Sequence, residues 1–93
     1  MYVGMARISL TLAGAHSLKE KRMVLRRVVD RLAKFNVAVA EVAHQDVWQR
    51  AGLGMVTISS SAVHAEQQLA AVVAEIDRVE PGLVSSTSTE FLL

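Results

Sequence analysis

The run Tyr2-Val3-Gly4-Met5-Ala6-Arg7-Ile8-Ser9-Leu10-Thr11-Leu12 alternates with a period of two. Tyr2, Gly4, Ala6, Ile8, Leu10 and Leu12 share one face, and Val3, Met5, Arg7, Ser9 and Thr11 share the other. Successive side chains of a strand point to opposite sides, so the pattern reads as a half-buried strand. Gly14-Ala15-His16 breaks it. Ser17 then opens a helix, and Glu20, three residues later, completes a capping box. Leu18, Leu25, Val28, Val29 and Leu32 recur at helical spacing through Lys34, and Asn36 marks the end.

Working outward from this strand–helix unit, residues 37–43 are a β-branched and alanine run, a second strand whose inward face the pattern leaves open. His44 to Arg50 is a polar connector that carries the single Trp. Residues 51–60 form a third strand, with Gly52, Gly54, Val56 and Ile58 on one side and Leu53, Met55, Thr57 and Ser59 on the other. Ser61 caps a second helix with the stripe Leu69, Val72, Val73, Ile76 and Val79, which Pro81-Gly82 stops. Residues 83–93 form a Ser/Thr-rich last strand. The order predicts one α+β domain over 1–93, a ferredoxin-like βαββαβ sandwich with a four-stranded antiparallel sheet and both helices on one face. The first and third strands are then antiparallel neighbours. On that arrangement Gly52 and Gly54 are expected inward beside Leu10 and Leu12, leaving Val3, Met5, Leu53 and Met55 on the open sheet face.

The chain is 52% hydrophobic and only 4% aromatic, with a mean hydropathy of +0.32. That is more apolar mass than one small core easily hides, and it points to a homo-oligomer, most simply a dimer. The absence of cysteine excludes disulfides and thiolate metal sites and fits a reducing compartment. No apolar run reaches the length of a membrane span, so no membrane role is expected. Ala13-Gly14-Ala15 resembles a signal-peptidase site, but no basic region precedes it and Arg7 interrupts the apolar stretch; a cytoplasmic location is expected. His16, His44 and His64 show no metal-site spacing, although His44 with Asp46, or His64 with Glu66, could each offer two ligands. No cofactor or metal site is expected, and Ser and Thr abound without a base beside them, so an enzyme is not expected.

Gly14-Ala15-His16-Ser17-Leu18-Lys19-Glu20-Lys21-Arg22, then Phe35-Asn36-Val37, Ala40-Glu41-Val42, Gln45-Asp46 and Trp48-Gln49-Arg50 together resemble the YlxP-like family of small bacterial proteins. The resemblance covers nearly the whole chain and weakens after about residue 80. It implies a ferredoxin-like fold and no defined activity. It also implies genes that lie beside those for translation and ribosome-maturation factors, and hence a link to RNA or the ribosomal particle.

Charge is the strongest asymmetry. Seven of the ten Lys and Arg residues lie between Lys19 and Lys34, opposed only by Glu20 and Asp30, whereas from Glu66 to Glu90 five acids oppose Arg78 alone. On a helical wheel Lys19, Arg22, Arg26, Arg27, Arg31 and Lys34 spread over the wide face opposite Leu25 and Leu32; Lys21 stands apart. Such a face can meet RNA phosphates, or it can be an ordinary solvated surface, or pair with the acidic second helix. The Gly14–Arg22 loop feeds a helix N-terminus that could hold an anion, yet Ser17 as a plain cap accounts for it. Gln45, Asp46, Trp48, Gln49 and Arg50 crowd hydrogen-bonding groups around one aromatic in a hairpin loop. Trp48 there either stacks on a base or anchors a partner, or it folds back over the core edge while Asp46 and Arg50 pair. The open sheet face lacks the aromatics that RNA-recognition domains of this topology use.

Overall fold

The computed structural model describes residues 1–92. The elements are β1 (Tyr2–Thr11), α1 (Leu18–Leu32), β2 (Ala38–Ala43), β3 (Arg50–Ser59), α2 (Ala62–Val79) and β4 (Val84–Leu92). Residue 93, the last position of the expected final strand, lies outside the described residues. The strands form one antiparallel sheet in the order β2-β3-β1-β4. This is the ferredoxin-like arrangement that the element order predicts.

Each helix begins where its capping chemistry places it. Ser17 Oγ accepts the Glu20 N–H at 3.1 Å, and Ser61 Oγ accepts that of His64 at 3.3 Å. The Glu20 carboxylate returns to the His16 N–H at 2.6 Å, one residue earlier than a standard capping box. α1 stops at Leu32, two residues short of Lys34. The chain tightens there, with Ala33 N–H donating to Asp30 O and Phe35 N–H to Leu32 O. Gly82, at φ +80°, takes the left-handed turn that follows α2.

The core lies between the helices and one sheet face. Ile8, Leu10, Leu25, Val28, Leu32, Leu69, Val72 and Ile76 are all buried, as the periodicities predict. Val29 is the exception in the first stripe; it sits on the flank of α1 and is exposed. The larger correction concerns β3. Ala51, Leu53, Met55 and Thr57 are buried, while Val56 and Ile58 are exposed. The face expected inward therefore points outward, and Leu53 and Met55 are unavailable to an interface. Register is the reason: Ala6 pairs with Met55, Ile8 with Leu53 and Leu10 with Ala51. Paired residues share a sheet face, so the buried face of β1 fixes that of β3. Volumes remain matched, in different pairs. A Cβ on Gly4 would lie 3.0 Å from both Leu69 Cδ1 and Phe91 Cε1, and Met55 lies opposite Ala6.

Candidate nucleic-acid interface

The six cationic residues proposed from the sequence are all exposed, and the structure divides them. Arg27, Arg31 and Lys34 lie on the side of α1 that meets the acids of α2. Arg27 grips Glu80 Oε1 through Nε at 2.9 Å and Nη2 at 2.7 Å. Lys34 Nζ lies 3.9 Å from Glu75 Oε1, and the Arg31 charge also acts on Glu75. Arg78 closes the cluster by hydrogen bonding Glu75, and this bond, first among several causes, lowers the Glu75 pKa below the ordinary glutamate value. Lys19, Arg22 and Arg26 remain, one turn apart along the outer face, with no acid within ion-pair distance among the described residues. The basic surface is narrower than the sequence suggests.

Lys21 stands apart for a reason the sequence did not reveal: it is buried, with 1% of its surface exposed. Its stem lies on the core side of α1 and its ammonium reaches the β2–β3 loop. Nζ donates to His44 O at 2.5 Å and to Val47 O at 2.8 Å, and lies 2.9 Å from Glu41 Oε2. That oxygen makes no well-aligned hydrogen bond, so charge attraction alone holds it. A buried ammonium requires acceptors to replace water, and here two carbonyls and a carboxylate supply them. Two signals could have exposed this role. Lys21 falls among Leu18, Leu25 and Val28 on the wheel, and Glu41 is the sole charged residue of an otherwise apolar strand.

The loop is fastened at both ends. His44 adopts φ 60°, a left-handed conformation that is costly for a residue with a Cβ, and its carbonyl also accepts Val47 N–H at 3.1 Å. Gln49 Nε2 donates to Ala13 O at 3.3 Å and Ala15 O at 3.2 Å, and Gln49 O accepts Leu12 N–H. Gln49 is thus a structural clamp on the β1–α1 connection. Gln45 reaches back to Glu41 O, and Arg50 opens β3 opposite Thr11. Trp48 is left outward with 51% of its surface exposed, and Asp46 and Arg50 form no ion pair. The alternative of a folded-back Trp48 over an Asp46–Arg50 pair is therefore set aside. Because Lys21 binds the loop from the residue next to Arg22, the loop and the first turns of α1 adjoin one another.

The Gly14–Arg22 turn does not present a free anion site. The Glu20 carboxylate stands at its mouth, accepting the His16 N–H, and Ser17 Oγ accepts the Glu20 N–H. Among the described residues no three His, Asp or Glu side chains cluster as metal ligands. No helix is long and apolar enough to cross a membrane.

The outer sheet face carries Met5, Arg7, Val56 and Ile58, with Val42 at one edge and Glu90 at the other. A shallow hollow of ≈ 630 Å³ lies over Ala38, Ala40 and Gly54. It contains no aromatic side chain.

The fold and surface define a small ferredoxin-like α+β domain with a basic helix–loop surface and an open sheet. The chain matches the family described as "Protein of unknown function (DUF503)" over residues 3–89, and it belongs to that family. It is 45% identical over 76 residues to "Uncharacterized protein YlxP" of Bacillus subtilis (strain 168), covering 81% of this chain and 83% of that one. Three solved structures share the fold at low identity. The de novo designed protein Foldit4 aligns with TM-score 0.54 and 10% identity over 99% of this chain and 96% of its own. A mutant of SnoaB, a cofactor-independent oxygenase from Streptomyces nogalater, aligns with TM-score 0.55 and 14% identity over 99% and 91%. A C-terminal segment of the alpha subunit of aIF2 from Pyrococcus abyssi aligns with TM-score 0.53 and 20% identity over 97% of this chain and 48% of that segment. A designed protein and an oxygenase on one backbone illustrate that this fold carries no function with it.

Proposed function

We propose that the protein is a non-catalytic cytoplasmic module that binds RNA, free or on a ribosomal particle, through the first turns of α1 and the loop beside them. The observation that carries this reading is the Lys21 tether. It ties the loop that carries the exposed Trp48 to the first turns of α1, the helix whose outer face bears Lys19, Arg22 and Arg26, the cations that α2 leaves unpaired. An outward aromatic on a loop tied to a helix with unpaired cations offers a splayed base a stacking surface and its phosphates a basic one. Every hydroxyl hydrogen bond among the described residues goes to a backbone group or a side-chain amide, which leaves no hydroxyl coupled to a base.

The test is fluorescence anisotropy with single-stranded RNA, together with co-sedimentation on ribosomal particles. With three phosphates neutralised, raising salt from 50 to 200 mM should weaken binding about twentyfold. Trp48→Ala should weaken it roughly 5- to 150-fold at unchanged stability, the range for one stacked base. Arg22→Glu with Arg26→Glu should abolish it. Arg27 does not serve as a probe, because reversing its charge would also set it against Glu80. Binding that is absent, or indifferent to all three changes, removes the nucleic-acid reading. The second reading, a self-assembling interaction domain, is favoured by the apolar outer face of the sheet.

A further inference from the structure

The outer face of the sheet is complementary to itself. Along β3 it reads Gly52, Gly54, Val56, Ile58: no side chains at one end, branched ones at the other. Gly54 pairs with Arg7 and Ala40, and Val56 with Met5 and Ala38, so each row of the face is known. A two-fold axis crossing the strands between the Gly54 and Val56 rows exchanges those rows. It sets Val56 of each copy over Gly54 of the other, and Ile58 over Gly52. At Gly54 the partner's Val56 then enters the hollow beside Val42, while Ala38 of each copy faces Ala40 of the other.

The same operation decides what covers the face. Met5 pairs with Glu90 and Arg7 with Ser88, so Arg7 and Glu90 lie in adjacent rows of neighbouring strands. Neither has an ion-pair partner among the described residues. Exchanging the rows brings Arg7 of one copy into the Glu90 row of the other, one strand away, and the reverse contact forms by symmetry. Opposite charges at that spacing attract. Any other apolar partner would have to supply both a cation and an anion in this arrangement; a second copy supplies them automatically, since an isologous interface is self-complementary. Four strands about 4.8 Å apart, rising about 3.4 Å per residue over ten residues, present a flat projection on the order of 600 Å². That approaches the roughly 800 Å² per partner of a standard stable interface.

We infer that two copies of this chain stack sheet to sheet about this axis, with Val56 and Ile58 seated over Gly54 and Gly52 and with Arg7 paired to the partner's Glu90. The inference deepens the self-assembly reading and is independent of RNA binding. The test is light scattering of the full chain at tens of micromolar, with circular dichroism to check folding. The wild-type protein should have the mass of two chains. Arg7→Glu and Glu90→Arg should each be a folded monomer, because each sets like charges across the interface. Mixing the two variants should restore the two-chain mass, since every cross-contact in the mixed pair is again opposite in sign. Should either variant misfold, Val56→Asp serves in its place as an expected folded monomer. A monomeric wild type overturns both this inference and the self-assembly reading. A dimeric wild type whose mass none of these substitutions changes overturns the face while leaving self-assembly standing. Monomeric single variants that stay monomeric when mixed overturn the Arg7–Glu90 contact.

Discussion

Replacing Lys21 by Met is the sharpest perturbation this structure offers. Met keeps most of the buried stem volume, so packing changes little. What disappears is the ammonium that binds His44 O, Val47 O and Glu41 Oε2. A hydrogen bond to a charged group contributes about 1.5–3 kcal/mol, and removing one partner of a buried ion pair costs about 3–5 kcal/mol. These figures do not add fully. The loop carbonyls can turn to water once released, and the Glu41 side chain is already 28% exposed. A net loss of about 3 kcal/mol is expected, or roughly 12–24 °C in Tm for a domain of this size. Urea denaturation measures the energy, and hydrogen exchange at Val47 reports whether the loop has let go. Adding Glu41→Leu should return at least about 1 kcal/mol by removing the stranded carboxylate. A Lys21→Met protein within about 0.5 kcal/mol of wild type, with an unchanged loop, would refute the tether.

Three further outcomes are expected. Leu25→Ala, at a core position on α1, should cost roughly 2–5 kcal/mol in urea denaturation, and a cost below about 1 kcal/mol would contradict its placement. Gly52→Ala should destabilise by about 1–3 kcal/mol, because its Cβ would lie 2.8 Å from Ala43 Cβ; a neutral result would show that β2 yields freely there. The Glu75 carboxyl should titrate below the ordinary glutamate value, chiefly through its hydrogen bond from Arg78. A depressed pKa means stability that is present above the unfolded value and lost as pH falls through the folded one. Carbon-detected NMR titration checks the midpoint, which should rise in Arg78→Gln; a midpoint at or above the ordinary value would count against the cluster.

The elements were legible because each carries its own local signal: Ser17 and Ser61 as caps, Pro81-Gly82 as a stop, strict alternation in β1. The inward face of β3 was not. Both of its sides are plausible, one offering Leu53 and Met55 and the other Val56 and Ile58. The choice depends on register with β1, a pairing across more than forty residues that no local pattern encodes. The basic helix was legible as composition but not as geometry. Only the placement of Glu75 and Glu80 shows that Arg27 and Lys34 are already engaged. The placement of Trp48 cannot be read from the sequence, because exposure of a single aromatic in a loop depends on how the loop is held, and the holding residue, Lys21, lies more than twenty positions away.

Lys21 grips the loop by main-chain oxygens, which every amino acid possesses. The path of the chain there is therefore indifferent to the side chains at Asp46 and Trp48, which make no hydrogen bond to it among the described residues. Those positions form an interchangeable panel on a fixed frame. Substituting them could redirect what the domain contacts without asking it to fold differently, while His44, committed to a left-handed backbone, and Gln49, clamped to Ala13 and Ala15, belong to the frame and could not be traded so freely.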